Sequence, residues 1–364
     1  MHTMNTTSAN TATPSNDITP EITPMLPSTP ATTGPQRAPQ ATSNHMPQVM
    51  RGPWTQVARQ QAIEKECHAA FVDYFGKAMK TRRWSPWHDL PLAEMREHGP
   101  RLSEQTVNLI EGFLGIEEYV GDYVLNGLEM FRTDRTRRNL QLQWGAEEMK
   151  HSAAWELVLL HSGARSEEQL KDYCGKIGEH RWSINDHAGA NTPLGTAIYS
   201  MVQERATYFN YQETNARIRA EYGLPAKPTI EERRRGYEVG AAEAFRVVSV
   251  DEIAHHGMFL QMVLIHLRYQ PDLTLATMDQ VLRGFRMPAL RLIPNARTFL
   301  RTVVGTGMQT REKHLNAVHN PVLKALGMDG DAAFNRAVQE AKLLPYGLGP
   351  DRVKLGRTGE FIIA

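Results

Sequence analysis

Four long stretches of the chain carry apolar residues at intervals of three and four, the spacing that lines up side chains along one face of an α-helix. These stretches span residues 103–131, 134–161, 193–221 and 235–268. The alternating pattern typical of strands is scarce from about Trp54 onward. The hydrophobic pattern therefore predicts an all-α protein built on four long helices, with further helices around them.

Ionisable residues interrupt the apolar face of each predicted helix. Two of the four stretches contain the motif Glu-x-x-His, and the other two contribute one glutamate each. Residues three apart share a helix face, so each motif directs a carboxylate and an imidazole toward the same point. The six residues are Glu117, Glu148, His151, Glu204, Glu252 and His255.

Four carboxylates on apolar helix faces require a compensating charge, because a buried unpaired carboxylate costs several kcal/mol or takes up a proton. Two ferrous ions would balance the four negative charges and leave two neutral imidazoles as nitrogen ligands. Two Glu-x-x-His motifs and two further glutamates form the ligand set of di-iron sites in four-helix bundles. A lone Glu or His is more often structural. The six together predict a ferritin-like bundle holding two iron ions (Fe²⁺/Fe³⁺).

Composition and charge restrict the possible settings of such a bundle. The chain has 41 basic and 40 acidic residues, so its net charge does not favour nucleic acid as a partner. Its two cysteines, Cys67 and Cys174, do not make a disulfide framework, which favours a reducing cytosol. No uninterrupted apolar run is long enough to span a bilayer. We expect a bacterial cytoplasmic protein without a membrane span, and a plastid transit peptide would be richer in Arg.

The first fifty residues differ from the rest of the chain. They contain 11 Thr and 8 Pro but only three charged residues. A segment of this composition cannot bury enough apolar surface to fold, so residues 1–50 are predicted to be a disordered tail. Residues 51–350 are predicted to form one domain, followed by a C-terminal tail at 351–364.

Short motifs around the six residues are similar to those of a known family. They are Glu117-Glu118-Tyr119, WGAEEMKH at 144–151, QERAT at 203–207 and Asp251-Glu252-x-x-His255. From about residue 84 to 288 the chain resembles the soluble acyl-carrier-protein desaturases.

The resemblance implies roles for individual residues. The six Glu and His residues would be the iron ligands. Thr207 would lie beside the oxygen-binding side of the site and assist proton delivery, although a helical Thr can also simply bond back to a carbonyl. Asp251 would orient a ligand histidine. Trp84 would belong to the path of incoming electrons, or would only anchor the N-terminal segment.

The resemblance also implies an activity. The protein would use O2 as co-substrate to introduce a double bond into an acyl chain held on acyl carrier protein, with a ferredoxin-type electron donor, and would form a homodimer. Three alternatives stay open. The first is a related di-iron hydroxylase or N-oxygenase. The second is the radical-generating subunit of ribonucleotide reductase, for which no inner-face Tyr is clearly marked. The third is a ferritin-like iron store, whose subunit would be much shorter.

Acyl carrier proteins are acidic, so this activity would need a basic docking surface. One candidate is the cluster Lys77, Lys80, Arg82 and Arg83. The other is the stretch 283–313, which has seven basic residues and a single acidic one, Glu312. Charge runs are often only solvated helix faces.

Overall fold

The computed structural model describes residues 54–363, which fall within a single compact unit. The predicted N-terminal tail lies outside the described residues. The all-α fold class is confirmed, since helices make up most of the described chain. In order they are α1 (Gln56–Thr81), α2 (Pro86–Asp89), α3 (Leu92–His98), α4 (Glu104–Glu117), α5 (Val120–Met130), α6 (Arg135–His161), α7 (Glu167–Ile177), α8 (Pro193–Glu221), α9 (Ile230–Arg235), α10 (Ala241–Tyr269), α11 (Pro271–Gly284), α12 (Ala296–Gly305), α13 (Arg311–His314), α14 (Asn320–Ala325) and α15 (Asp331–Ala341).

Helices α4, α6, α8 and α10 form the central bundle. Helix α8 packs along α10 over most of its length, and α4 packs against α6. Three of the four begin at a residue whose side chain accepts a hydrogen bond from the first turn: Ser103, Asp134 and Thr192. These caps satisfy backbone N–H groups that a helix leaves free at its start.

Aromatic side chains fill the bundle on one side of its centre. Trp155 lies 4.3 Å from Phe245 and 4.9 Å from Tyr211, measured between ring centroids. Phe113 meets the Tyr211 ring edge to face at 4.9 Å. Each of these residues comes from a different bundle helix, so the cluster fixes the spacing of all four helices.

Two of the predicted helix boundaries were wrong. The stretch 103–131 is two helices, because the chain turns at residues 118–119 between α4 and α5. The stretch 235–268 becomes a bundle helix only at Ala241, since Gly236 ends α9 at φ 85° and Gly240 precedes α10 at φ 54°. Positive φ is accessible to Gly at little cost and interrupts the helix.

The remaining elements surround the bundle. Helix α1 lies against α10 and α6, α5 against α6, α11 against α8 and α10, and α12 against α4. Single turns of 3-10 helix occur at Gly99–Arg101, Ile184–Asp186 and Pro350–Arg352, and a π-helical turn at Leu315–His319.

Residues 351–364, predicted as a C-terminal tail, contain two short strands. Strands β1 (Val353–Leu355) and β2 (Phe361–Ile363) pair antiparallel, with Val353 opposite Ile363 and Leu355 opposite Phe361. The amide of Phe361 donates to the carboxylate of Glu340 on α15, which ties the hairpin to that helix. None of the described helices is long and apolar enough to cross a membrane.

Candidate metal centre

The six predicted ligand residues meet in the middle of the bundle. Glu117 is the last residue of α4, and α6, α8 and α10 bring the other five from the interiors of long helices. All six side chains are buried. Their predicted roles as ligands are a proposal, but the structure does bring the residues together.

The six side chains form two overlapping groups of possible metal ligands. One group is Glu117, Glu148, His151 and Glu252, and the other is Glu148, Glu204, Glu252 and His255. Within each group the ligand atoms lie within 4.8 Å of one another. Glu148 and Glu252 belong to both groups. The arrangement is therefore that of two neighbouring metal positions that share two carboxylates, each completed by one imidazole and one further carboxylate.

Both imidazoles direct the same nitrogen, Nδ1, toward carboxylates at the centre of the site. Nδ1 of His151 lies 3.0 Å from Glu148 Oε2 and 3.2 Å from Glu252 Oε1. Nδ1 of His255 lies 2.9 Å from Glu148 Oε1 and 3.4 Å from Glu204 Oε2. Four of these inward-facing atoms lack a hydrogen-bond partner: Glu148 Oε1, Glu204 Oε2, Glu252 Oε1 and His255 Nδ1. Buried acceptors without partners are costly, and a cation between them removes that cost. The donor set of four carboxylates and two imidazoles therefore fits a pair of divalent iron ions.

Mutual repulsion and burial shift the acidities of these groups. Burial, reinforced by the charge of Glu148, raises the pKa of Glu117 and of Glu252 well above the usual carboxyl range. Burial opposes a charged imidazole, yet the carboxylate of Glu148 and its neighbours raises the pKa of His151 well above its ordinary value. Bound metal ions would compete with these protons for the same atoms, so metal affinity is expected to fall at low pH.

A second layer of carboxylates holds the outer nitrogen of each imidazole. Nε2 of His151 lies 3.3 Å from Asp251 Oδ2, and Nε2 of His255 lies 3.0 Å from Glu147 Oε2. A carboxylate accepting from the outer N–H fixes the ring orientation and leaves Nδ1 free for a metal. The structure thus places Asp251 behind a proposed ligand histidine. Glu147, its counterpart behind the other imidazole, was not predicted from the sequence.

Trp84 contacts the same layer from the protein surface. Its Nε1 donates to Asp251 Oδ2 at 2.9 Å, and its half-buried ring stacks parallel to the His151 imidazole at 6.4 Å between centroids. Lys150 Nζ lies 4.6 Å above the indole ring. A continuous line of contacts therefore leads from Trp84 through Asp251 to His151.

Three further aromatic residues donate to carboxylates of the site. Trp144 Nε1 donates to Glu204 Oε1 at 3.0 Å, the Tyr211 hydroxyl donates to Glu117, and the Tyr74 hydroxyl donates to Glu147. The expectation that no inner-face tyrosine is marked was wrong for Tyr211. Tyr211 follows Glu204 by seven residues, about two helical turns, so the helical spacing alone places both on the same face.

Thr207 lies close to the centre, although its hydroxyl points along its own helix. The side chain is buried, and its Oγ1 donates to the carbonyl of Gln203 at 3.1 Å. Thr207 and Glu117 line the same small cavity of about 20 Å³, with room for about one water molecule, which we call the side cavity.

Two other cavities continue along α8. The inner cavity, of about 30 Å³, is bounded by Tyr123, Trp144, Trp182 and Tyr199 among others. The outer cavity, of about 680 Å³, is bounded by Ala206 and by loop and helix residues between 282 and 314. Trp182 lines both of these, and Met287 and Leu290 line both the outer and the side cavity. The residues of α8 that line the inner and side cavities extend from Thr196 to Tyr211. At the usual rise per residue this is a length of about 22 Å.

Both predicted basic regions have exposed members, but Arg82 is not one of them; Lys77, Lys80 and Arg83 of the first region are exposed. Arg82 is buried and lies within ion-pair distance of Glu147 and Asp251, so it cannot belong to a docking surface. In the stretch 283–313 the side chains of Arg286, Arg291, Arg297 and Arg301 are exposed.

Comparison with known proteins assigns the chain to a family. The bundle's centre collects four glutamates and two histidines, a set of side chains that could hold two metal ions. Residues 129–324, more than half of the chain, match the fatty acid desaturase family. The chain belongs to that family, which makes it a desaturase and hence an oxidoreductase.

One solved structure is distantly similar to this chain. An X-ray structure of DesA2 from Mycobacterium tuberculosis H37Rv, a protein with a provisional assignment as an acyl-ACP desaturase, is 15% identical in sequence. The match covers 73% of this chain and 95% of that one, with a TM-score of 0.47. No curated protein matches the sequence significantly.

Proposed function

We propose that this chain is an oxygen-dependent di-iron desaturase that introduces a double bond into an acyl chain carried on acyl carrier protein. The observation that carries the proposal is the pair of overlapping ligand groups that share Glu148 and Glu252. Family membership supports desaturation. The carrier-bound substrate and the use of O2 rest on the resemblance of the motifs to soluble acyl-carrier-protein desaturases.

The protein's own residues would bind, orient and shield the reacting groups. Glu117 and His151 would hold one iron, Glu204 and His255 the other, and Glu148 and Glu252 both. The chemistry that an iron pair supplies when bound is reductive activation of O2 for the removal of two hydrogens from adjacent carbons. Asp251 and Glu147 would keep the imidazoles aligned, and the buried aromatic cluster would exclude water from the site.

The contacts of Trp84 support a path for incoming electrons. Its ring is half-buried, and its indole N–H reaches Asp251, which in turn contacts His151. We propose that a ferredoxin-type donor, a small one-electron carrier, delivers electrons at this point. A homodimer in the bacterial cytoplasm is the proposed working form.

The order of the three cavities along α8 supports a route for an elongated apolar substrate, which would fill the outer cavity of about 680 Å³ and widen the small inner or side cavity. The inner cavity reaches Trp144, which donates to Glu204, and the side cavity reaches Glu117 itself. An alkyl chain lying along α8 would therefore pass both halves of the metal centre. The outer cavity, with Arg286 and Arg291 in its lining, is the proposed mouth.

The proposal is tested by single-turnover chemistry. Reduced, iron-loaded protein is mixed with O2 and a panel of acyl carrier proteins bearing different chains, and the products are read by mass spectrometry. Loss of two hydrogens from a carried chain supports desaturation. Gain of one oxygen would instead identify a hydroxylase or N-oxygenase. Iron oxidation without any change in substrate across the panel would favour an iron-binding protein.

Thr207→Val should retain iron but alter the use of O2. Valine keeps the shape of the threonine side chain. It lacks the hydroxyl group of Thr207, a residue that lines the side cavity. We expect O2 consumption to become uncoupled from product formation, measured by an oxygen electrode together with product analysis. Thr214→Val, which removes a similar back-bonded hydroxyl further along α8, is the control. Coupling equal to the parent's in Thr207→Val would assign Thr207 a purely structural role.

Charge reversal in the stretch 283–313 should weaken use of the carrier-bound substrate. Arg297→Glu combined with Arg301→Glu removes two exposed positive charges, and complementary charge mainly accelerates encounter. We expect a higher KM for carrier-bound substrate and a weaker dependence of kcat/KM on ionic strength. Arg233→Glu with Arg234→Glu, on the exposed side of α9, applies the same charge change elsewhere. Equal kinetics for parent and both variants at all salt concentrations would exclude this stretch as the docking surface.

A further inference from the structure

The segment that follows α1 alternates between the interior and the surface. Helix α1 ends at Thr81, and the next residues run without helical structure to α2. Arg82 is buried, Arg83 is exposed and Trp84 is half-buried. Adjacent arginines in this short connection therefore have opposite surroundings.

The buried guanidinium of Arg82 lies between the two carboxylates behind the imidazoles. Its Nε is 3.4 Å from Glu147 Oε1 and 3.6 Å from Asp251 Oδ1. Glu147 contacts His255, and Asp251 contacts His151. One side chain is thus connected, through one carboxylate on each side, to both halves of the candidate metal centre.

Other contacts hold Arg82 in this position. Its carbonyl oxygen accepts a hydrogen bond from Lys150 Nζ at 3.1 Å, and the same ammonium is 3.0 Å from Asp251 Oδ2. Its guanidinium carbon lies 4.8 Å from the centre of the Tyr74 ring, whose hydroxyl donates to Glu147. Backbone and side chain are both fixed, so the guanidinium is preorganised between its two partners.

The charges of this outer layer balance without a metal. Glu147 and Asp251 contribute two negative charges, and Arg82 and Lys150 contribute two positive charges within ion-pair distance. Of the two carboxylates, Lys150 reaches only that of Asp251, whereas Arg82 reaches both. The four inner carboxylates therefore remain as the part of the site that needs the charge of two divalent ions.

We propose that Arg82 is a positioning residue shared by both metal positions, which holds Glu147 against His255 and Asp251 against His151 and so keeps both imidazoles aimed at the metal ions. The inference rests on the proposed function, because it assigns Arg82 a role toward the iron pair. It predicts that one substitution outside the ligand set disturbs both halves of the centre together.

The test compares Arg82→Met with the matched control Arg83→Met. Methionine fills a similar apolar volume without charge, and Arg83 is the exposed neighbour in the same segment. Iron affinity is measured by anaerobic titration with Fe²⁺, and the symmetry of the pair by Mössbauer spectroscopy of the loaded protein. We expect Arg82→Met to bind iron about 10-fold or more weakly, the range typical for residues that support metal ligands. Arg83→Met should match the parent in both measurements.

Arg82→Lys provides the conservative variant. In Arg82 a single nitrogen, Nε, approaches both carboxylates. Lysine has a methylene at that point and its ammonium one bond further out, so it can pair closely with one carboxylate but does not place a charged nitrogen between both. We expect it to recover part of the affinity and to show two unequal iron environments. If Arg82→Met does not fold, unequal environments in Arg82→Lys support the proposal, and a spectrum and affinity equal to the parent's overturn it.

A purely structural role would give a different result. It would lower the melting temperature of Arg82→Met but leave iron affinity and the spectrum as in the parent, and that outcome would overturn the proposal. Failure of the proposed function is separately visible, since the parent protein itself would then bind no iron pair or would not desaturate any carried chain.

Discussion

Replacement of Glu148 by Ala is expected to remove both iron ions and to abolish turnover. Glu148 belongs to both ligand groups, and each of its oxygens lies about as close to an imidazole as a hydrogen bond: Oε2 is 3.0 Å from His151 and Oε1 is 2.9 Å from His255. Loss of this carboxylate removes a ligand from both metal positions at once. Iron per chain, measured after loading and desalting, should fall from about two to near zero, as expected when a di-iron ligand set is broken.

Residues that belong to only one group should behave differently. Glu117→Ala removes a ligand from the His151 position alone, and His255→Ala removes one from the other position alone. Each should first lose the iron at its own position and retain weak binding at the other, although turnover, which needs the pair, should be lost in both. Glu156→Ala, at an exposed position on the same helix as Glu148, is the control and should keep full iron content. Full occupancy and a normal rate in Glu148→Ala would refute the ligand assignment.

The six central residues could be found from the sequence because they obey local rules. The Glu-x-x-His spacing places both members on one helix face, and the helices are long enough that errors of a few residues at their ends do not change that face. The starts of α6 and α8 were also predictable, since Asp134 and Thr192 are capping residues.

The surroundings of the site follow from tertiary contacts that no local pattern contains. Tyr74 and Arg82 come from α1 and the segment after it, far in sequence from the carboxylates they contact. Arg82 was predicted to be part of a basic surface cluster because Lys77, Lys80 and Arg83 lie beside it in the sequence, and those three residues are indeed exposed. Only the packing of α1 against α6 and α10 turns its side chain inward. The local charge pattern therefore predicted the wrong environment for Arg82.

The connection between α8 and α10 contains a second buried ionic cluster, remote from the metal centre. Arg219 is only 1% exposed, and its guanidinium donates to Glu232 at 2.8 and 2.9 Å and to Glu238 at 2.9 Å. It also donates to the carbonyls of Pro225 and Lys227. This one side chain therefore ties four points of the connection, between residues 225 and 238, to the end of α8.

Arg219→Met should destabilise the protein strongly. Removing one partner of a buried ionic cluster leaves uncompensated charges, here the two carboxylates of Glu232 and Glu238, and typically costs about 3–5 kcal/mol. The free energy of unfolding, measured by urea denaturation, should fall by that amount. Arg233→Met, an exposed arginine on α9, should change it by less than about 0.5 kcal/mol.

Two further measurements separate this explanation from a general packing defect. Adding Glu232→Gln and Glu238→Gln to Arg219→Met removes the unpaired charges, so part of the lost stability should return.

The dependence of stability on pH is the second measurement. The neighbouring Arg219 lowers the pKa of Glu232 to about 2. The ionised Glu232 therefore contributes fully to folding stability above its unfolded-state pKa, roughly 4.3, and this contribution is lost as pH falls toward 2. The parent should therefore lose stability across that interval, and Arg219→Met should lose less. Glu204 precedes Arg219 by about 22 Å of helix, so iron binding below the melting temperature should be retained. An equal acid dependence in parent and variant, with no recovery in the triple variant, would show that Arg219 acts through packing alone.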